Sequence, residues 1–144
     1  MVSLREINAE NFWECVGLDV CEGQKEFVTS NAVSLAQSKY QPECVPLGVY
    51  SNDEMVGFVM YCIDADDGEY WIYRMMTDKR HQGKGYARQA LELLIQRIKD
   101  DDTRHRIFLG VHTDSKEAVK LYKSFGFEFT GQVFGAEHIM KYEY

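Results

Sequence analysis

Residues 81–98, HQGKGYARQALELLIQRI, constrain the fold more than any other stretch, because two glycines one residue apart stand directly before the clearest amphipathic helix in the chain. Ala87, Ala90, Leu91, Leu94, Ile95 and Ile98 recur at helical spacing and form one apolar stripe. Glycine costs a helix stability, so Gly83 and Gly85 mark backbone that must turn sharply before the helix begins. The preceding EYWIYRMMT is dense in aromatic and bulky residues and reads as a strand. A strand that feeds through a glycine turn into a helix leaves the first-turn N–H groups unpaired, pointing outward at the positive end of the helix dipole. That geometry seats a phosphate, and glycine lets the anion come close to the backbone.

The remaining segments alternate between strand and helix patterns. VSLREI reads as a strand, followed by a helix carrying Phe12, Val16 and Leu18 that Asn8 or Asn11 could cap. A second helical region is expected from Glu26 to Tyr40, stopping before Pro42. VPLGVYSNDEMVGFVMYCI reads as a hairpin turning at Asn52 and Asp53, and DADDG interrupts the pattern before the next strand. RIFLGVHT is a buried strand, SKEAVKLYKSFG a helix closing at Gly126, and the tail a hairpin turning near Gly135. With 144 residues and no linker or repeat, the expectation is one α/β domain spanning residues 1–144.

Charge and cysteine usage narrow the function classes. Sixteen Lys and Arg against 23 Asp and Glu give a net charge of −7, which disfavours a nonspecific grip on nucleic acid or an anionic membrane and suits a cationic or neutral partner. No charged segment followed by an apolar run opens the chain, and no run of eighteen apolar residues occurs, so a cytoplasmic protein is expected. Cys15, Cys21, Cys44 and Cys62 form no C-x-x-C pair and read as small core residues with free thiols. His81, His105, His112 and His138 lack paired metal-ligand spacing, so no metal is expected. Trp13 and Trp71 read as core, with Trp71 also placed to border a pocket on the central strand.

Three phosphate-binding patterns compete for the glycine turn. A Walker loop fails because Gly85, not Ser or Thr, follows Lys84, and a dinucleotide fingerprint is weak because no βαβ unit follows. The third pattern fits: Gln82-Gly83-Lys84-Gly85-Tyr86-Ala87 matches Q/R-x-x-G-x-G/A, and AVKLYKSFGF downstream matches A-x-x-L-Y-x-x-x-G-F. With the element order β-α-α-β-β-β-α-β-α-β-β, these segments resemble the GNAT superfamily of acetyl-CoA-dependent N-acetyltransferases across essentially the whole chain. VGFVMY, DKRHQGKG and LYKSFGF are similar to the bacterial spermine/spermidine acetyltransferases within it.

The resemblance implies a mixed sheet of six to seven strands, splayed in the middle and flanked by about four helices, with acetyl-CoA as co-substrate. It implies that backbone groups of Gln82, Gly83, Lys84, Gly85, Tyr86 and Ala87 hold the pyrophosphate. Met75, Met76 and Thr77 would pair with the pantetheine arm as an added strand would. Tyr122 matches the tyrosine that protonates the departing thiolate, Ser115 stands where relatives often carry asparagine, and Lys123 would meet the adenosine phosphate. Polyamine relatives carry an acid at the position of Tyr73, so the base is left open between Glu69, an acid of DADDG acting through water, and Tyr73 positioning a water. Asp64, Asp66, Asp67 and Glu69, together with Glu22 and Glu26, would attract a small cationic amine, although acidic loops are also commonly just solvated. Other acceptors (a protein N-terminus, a lysine, an antibiotic amine) and a non-catalytic acyl-CoA sensor remain alternatives, and the family leaves room for a homodimer.

Overall fold

A computed structural model describes residues 1–144. In chain order the elements are β1 (Val2–Glu6), α1 (Phe12–Gly17), a 3₁₀ turn (Glu22–Gln24), α2 (Asn31–Tyr40), β2 (Val45–Ser51), β3 (Glu54–Ile63), β4 (Tyr70–Thr77) and a second 3₁₀ turn (Lys79–His81). There follow α3 (Tyr86–Lys99), β5 (Arg106–His112), α4 (Lys116–Ser124), β6 (Glu128–Phe134) and β7 (Glu137–Glu143). The strands form one seven-stranded sheet in the order β1-β2-β3-β4-β5-β7-β6, as the resemblance implied. Every neighbouring pair is antiparallel except β4 and β5.

Both sheet faces are covered, which is why the central strands read as nearly continuous apolar runs. On one face, Leu91, Leu94 and Ile98 of α3 pack on Val59, Ile72, Ile107 and Leu109, with Tyr122 of α4 at the margin. On the other, Cys15, Leu18 and Val20 close over Phe58, Met60, Cys62 and Met76.

The parallel pair is short. Tyr70, Ile72 and Trp71 between them lie opposite Ile107, Leu109 and Phe108, and pairing stops there. From Tyr73 on β4 and Gly110 on β5 the strands part, so the sheet splays at its centre. Tyr73 is also a bulge: Tyr61 of β3 pairs with Ile72 and Met60 with Arg74, leaving Tyr73 without an opposite residue.

Three sequence expectations need correction. The second helix begins at Asn31 rather than Glu26, because Ser30, in extended conformation, caps it by accepting from the Val33 N–H at 3.3 Å. Glu22 therefore opens a 3₁₀ turn and Glu26 lies between that turn and α2. Cys21 is exposed rather than core, beside the 3₁₀ turn it caps. Trp13 is 77% exposed and meets Phe12 edge-on instead of entering the core, since Cys15 is the face of α1 that turns inward.

Candidate active site

A cleft of about 490 Å³ opens where β4 and β5 separate. Its floor is the end of β4 at Met75, Met76 and Thr77, and its rims are the glycine loop on one side and the start of α4 on the other. Gly83 and Gly85 have φ of 78° and 82°, the left-handed region that side chains rarely adopt, and Gly85 is the residue from which α3 starts. No atom lies within 4 Å of where a Gly83 Cβ would stand, so conformation rather than crowding demands glycine there.

The loop is braced from below. Gln82 donates from Nε2 to the Thr77 carbonyl at 3.1 Å and to Gln24 Oε1 at 2.8 Å, tying the glycine loop to β4 and to the 3₁₀ turn. Asp78 is buried at 1% exposure; it accepts from the Asp19 N–H at 2.9 Å and from Arg80 Nε at 2.7 Å. Burial alone would raise its pKa, but these hydrogen bonds outweigh it and hold the carboxyl below its ordinary value. Asp78 thus fastens residues 18–20 to the end of β4, which keeps Val20, Gln24, Phe27 and Val28 against the cleft.

Tyr122 lines the cleft with its ring packed edge-on to Phe127. Burial, and then the charge of Glu137, push its phenol up to about 12, so it is a protonated donor at neutral pH. Ser115 lines the cleft as the residue before α4, its side chain free of any capping bond. Of the other expected coenzyme contacts, Met75, Met76, Thr77, Gln82, Gly83, Gly85, Tyr86 and Ala87 all line this space. Lys84 is the exposed tip of the loop and does not line it. Lys123 is exposed and turned away, its Nζ 5.3 Å from the centre of the Phe129 ring.

The expected acidic residues are scattered rather than gathered. The Tyr73 phenol donates to Asp64 at 2.6 Å; burial and then this bond raise the phenol's pKa strongly, while the bond lowers that of Asp64. Asp67 accepts from the Glu69 N–H and from Trp71 Nε1, and Trp71 stacks on Phe108 at 5.2 Å. Asp66 is exposed on the same turn. Glu69 precedes β4 at the paired end of the strand pair, with Oε2 enclosed and unpartnered, so the splay carries it away from the cleft. Glu22 pairs with Lys25 at 2.9 Å and, like Glu26, is exposed outside the cleft. Among the cysteines, burial pushes Cys15 up to about 11 and Cys62 up to about 12, so neither offers a thiolate.

Arg88 and Lys116 line the cleft although neither was singled out in the sequence. Arg88 reaches Ser124 Oγ at 3.0 Å, bridging α3 and α4, and its position one turn into α3 was the only available signal. The side-chain brace of Gln82 was likewise missed, because the motif assigns that residue a backbone role.

The pattern of the acetyltransferase (GNAT) family matches residues 9–127, which include the glycine loop, the end of β4 and Tyr122. The chain belongs to the GNAT acetyltransferase family. Among GNAT proteins it is 30% identical over 146 aligned residues to the spermine/spermidine N(1)-acetyltransferase of Bacillus subtilis (strain 168), covering 96% of each chain. In fold it resembles spermidine N-acetyltransferase of Vibrio cholerae in complex with CoA and spermine (TM-score 0.75, 17% identity, 97% and 92% coverage). It also resembles the aminoglycoside acetyltransferase AAC(6')-Ib in complex with ribostamycin and coenzyme A (TM-score 0.80, 18% identity, 99% and 93% coverage). GNAT enzymes use acetyl-CoA as co-substrate, and the residues present fit it. The loop offers N–H groups without side chains in the way, and β4 beyond Ile72 has a strand edge that β5 does not pair.

Proposed function

We propose that this GNAT protein transfers an acetyl group from acetyl-CoA to a primary amine of a polyamine such as spermine or spermidine, by direct attack in a ternary complex. The observation that carries the reading is that the Tyr122 phenol, the unpaired edge of β4 and the left-handed glycine loop all border one cleft. The 30% identical relative named for spermine and spermidine, and the net charge of −7, support the choice of acceptor.

In this reading the N–H groups of residues 82–87 receive the pyrophosphate at the start of α3, with Arg88 and Lys116 adding positive charge at the rims. The edge groups of Met75–Thr77 take the pantetheine amide groups in place of the missing β5 partner. Bound there, acetyl-CoA supplies the thioester that the amine attacks. The β4 edge orients the thioester carbonyl and polarises it, and Tyr122 gives its proton to the departing sulfur. None of the four cysteines lies in the matched motif segments, and Cys15 and Cys62 are held as buried thiols, so no covalent acetyl-enzyme is invoked.

The test is release of free thiol from acetyl-CoA across spermine, spermidine, putrescine, lysine, a short peptide and an aminoglycoside. Release with spermine or spermidine alone supports the reading. Release with the aminoglycoside alone moves the acceptor, and coenzyme binding with no release for any amine makes the protein a sensor.

A further inference from the structure

The apex of the splay has no carboxylate on β4 to take the ammonium's proton, because Tyr73 stands there, its hydroxyl donated to Asp64, and no Asp or Glu occurs in Tyr70–Thr77. Resting on the acetyl-transfer reading above, we propose that Glu137 of β7 supplies that carboxylate from the other side of the gap, receiving the acceptor's reacting ammonium and taking its proton.

The geometry begins with Gly110, the first residue of β5 beyond its last pairing with β4. A Cβ at Gly110 would stand 3.2 Å from both Cδ and Oε2 of Glu137 and 3.3 Å from its Cβ. The glutamate therefore lies across the bare backbone of Gly110. In the ladder Glu137 sits opposite His112 while Gly110 sits opposite Ile139, so the side chain leans diagonally, two residues along β5 toward the apex.

β7 holds a second glutamate for comparison. Glu143 is engaged with Lys141 at 2.7 Å and Arg106 at 3.7 Å, whereas Glu137 meets no cation of the chain and is exposed. Asp114 and Glu117 line the cleft at the start of α4, with Asp114 turned to His112 at 3.8 Å, whereas Glu137 stands beside that lining, over Gly110 at the β5 side of the gap. Glu137 is also felt by Tyr122, whose phenol its charge helps to keep protonated.

The proton balance closes. The ammonium nitrogen passes one proton through water to the Glu137 carboxylate, and its freed lone pair forms the C–N bond as the C–S bond breaks. A second nitrogen proton leaves to solvent. Tyr122 protonates the sulfur and is itself reprotonated from solvent, and Glu137 then passes its proton to solvent, so one net proton is released per acetyl group moved.

The experiment compares wild type, Glu137→Gln, Gly110→Ala and the double variant in thiol release with spermidine, with coenzyme binding followed separately by calorimetry. Glu137→Gln is expected to lower kcat/KM for spermidine ~10²-fold while coenzyme affinity stays within about twofold. Gly110→Ala pushes its Cβ against the carboxylate and is expected to lose activity in wild type but little further in the Glu137→Gln background, because both changes act on one group. Unchanged kcat/KM in Glu137→Gln overturns the proposal, as does an equal loss from Gly110→Ala in both backgrounds. Silence of the wild type across the amine panel overturns the acetyl-transfer reading and this proposal with it, whereas an active wild type with an equally active Glu137→Gln overturns this proposal alone.

Discussion

The two ends of the β4–β5 pair are built from the same strands and do opposite things. At one end, Tyr70–Ile72 pair with Ile107–Leu109, and Tyr70 adds a 2.8 Å bond from its hydroxyl to Asp101 beyond α3. At the other, Tyr73–Thr77 and Gly110–His112 diverge, and the β4 edge left unpaired borders the cleft at Met75–Thr77. A satisfied ladder holds the sheet together, and an unsatisfied one offers main-chain groups to a ligand. The paired end should therefore govern stability and the parted end turnover, and substitutions can test whether the two separate.

The largest effect is expected at the paired end. Leu109 is 1% exposed against α3, so Leu109→Ala should cost about 2–5 kcal/mol of stability in denaturant unfolding. Turnover per folded molecule should stay near wild type; a matching collapse in turnover would break the comparison. At the parted end, Tyr122→Phe should cut turnover by ~10²-fold or more, about 2.7 kcal/mol, with coenzyme affinity kept. Retained turnover would remove the phenol from the chemistry.

Smaller effects sharpen the contrast. Gly85→Val forces a branched side chain onto a φ of 82°, and the strain, about 1–3 kcal/mol, should appear in calorimetry as coenzyme affinity weakened by ~10-fold or more. A smaller effect still concerns alkaline pH. Because the Tyr122 pKa in the folded chain, about 12, lies above the ~10 of an unfolded tyrosine, its burial contributes stability that is complete below pH ~10. That contribution is lost as pH rises through about 12. Wild type should lose more stability over that interval than Tyr122→Phe, read as the shift in unfolding midpoint with pH.

How much of this was visible in the sequence follows from range. The glycine turn and α3 were legible because each depends on neighbours within a few residues: a φ only glycine accepts, and helical periodicity; Tyr122 was singled out only through the family likeness. The splay was legible only through family likeness, since nothing in WIYRMM or IFLGVH says that pairing stops after Ile72. The acceptor side was the least legible. Asp64 and Asp67 looked free but are held by Tyr73 and Trp71, and Glu69 looked close but sits past the paired end. Glu137 attracted no notice because its meaning depends on Gly110, 27 positions earlier in the chain. The start of α2 was misplaced because Glu26 suits a first helical turn, while Ser30 caps better.

The unpaired Tyr73 also sets a limit on how this strand can be borrowed. Before it, Tyr70 and Ile72 face α3 while Trp71 faces α1; after it, Met75 takes the first side and Met76 the second. The alternation slips by one position within the strand. A chimera that imported a regularly paired strand from another protein, one residue shorter here, would turn Met75 and Met76 inside out and present the wrong carbonyls to the coenzyme. Grafts of acceptor specificity onto this scaffold would have to carry residues 70–77 as a single cassette.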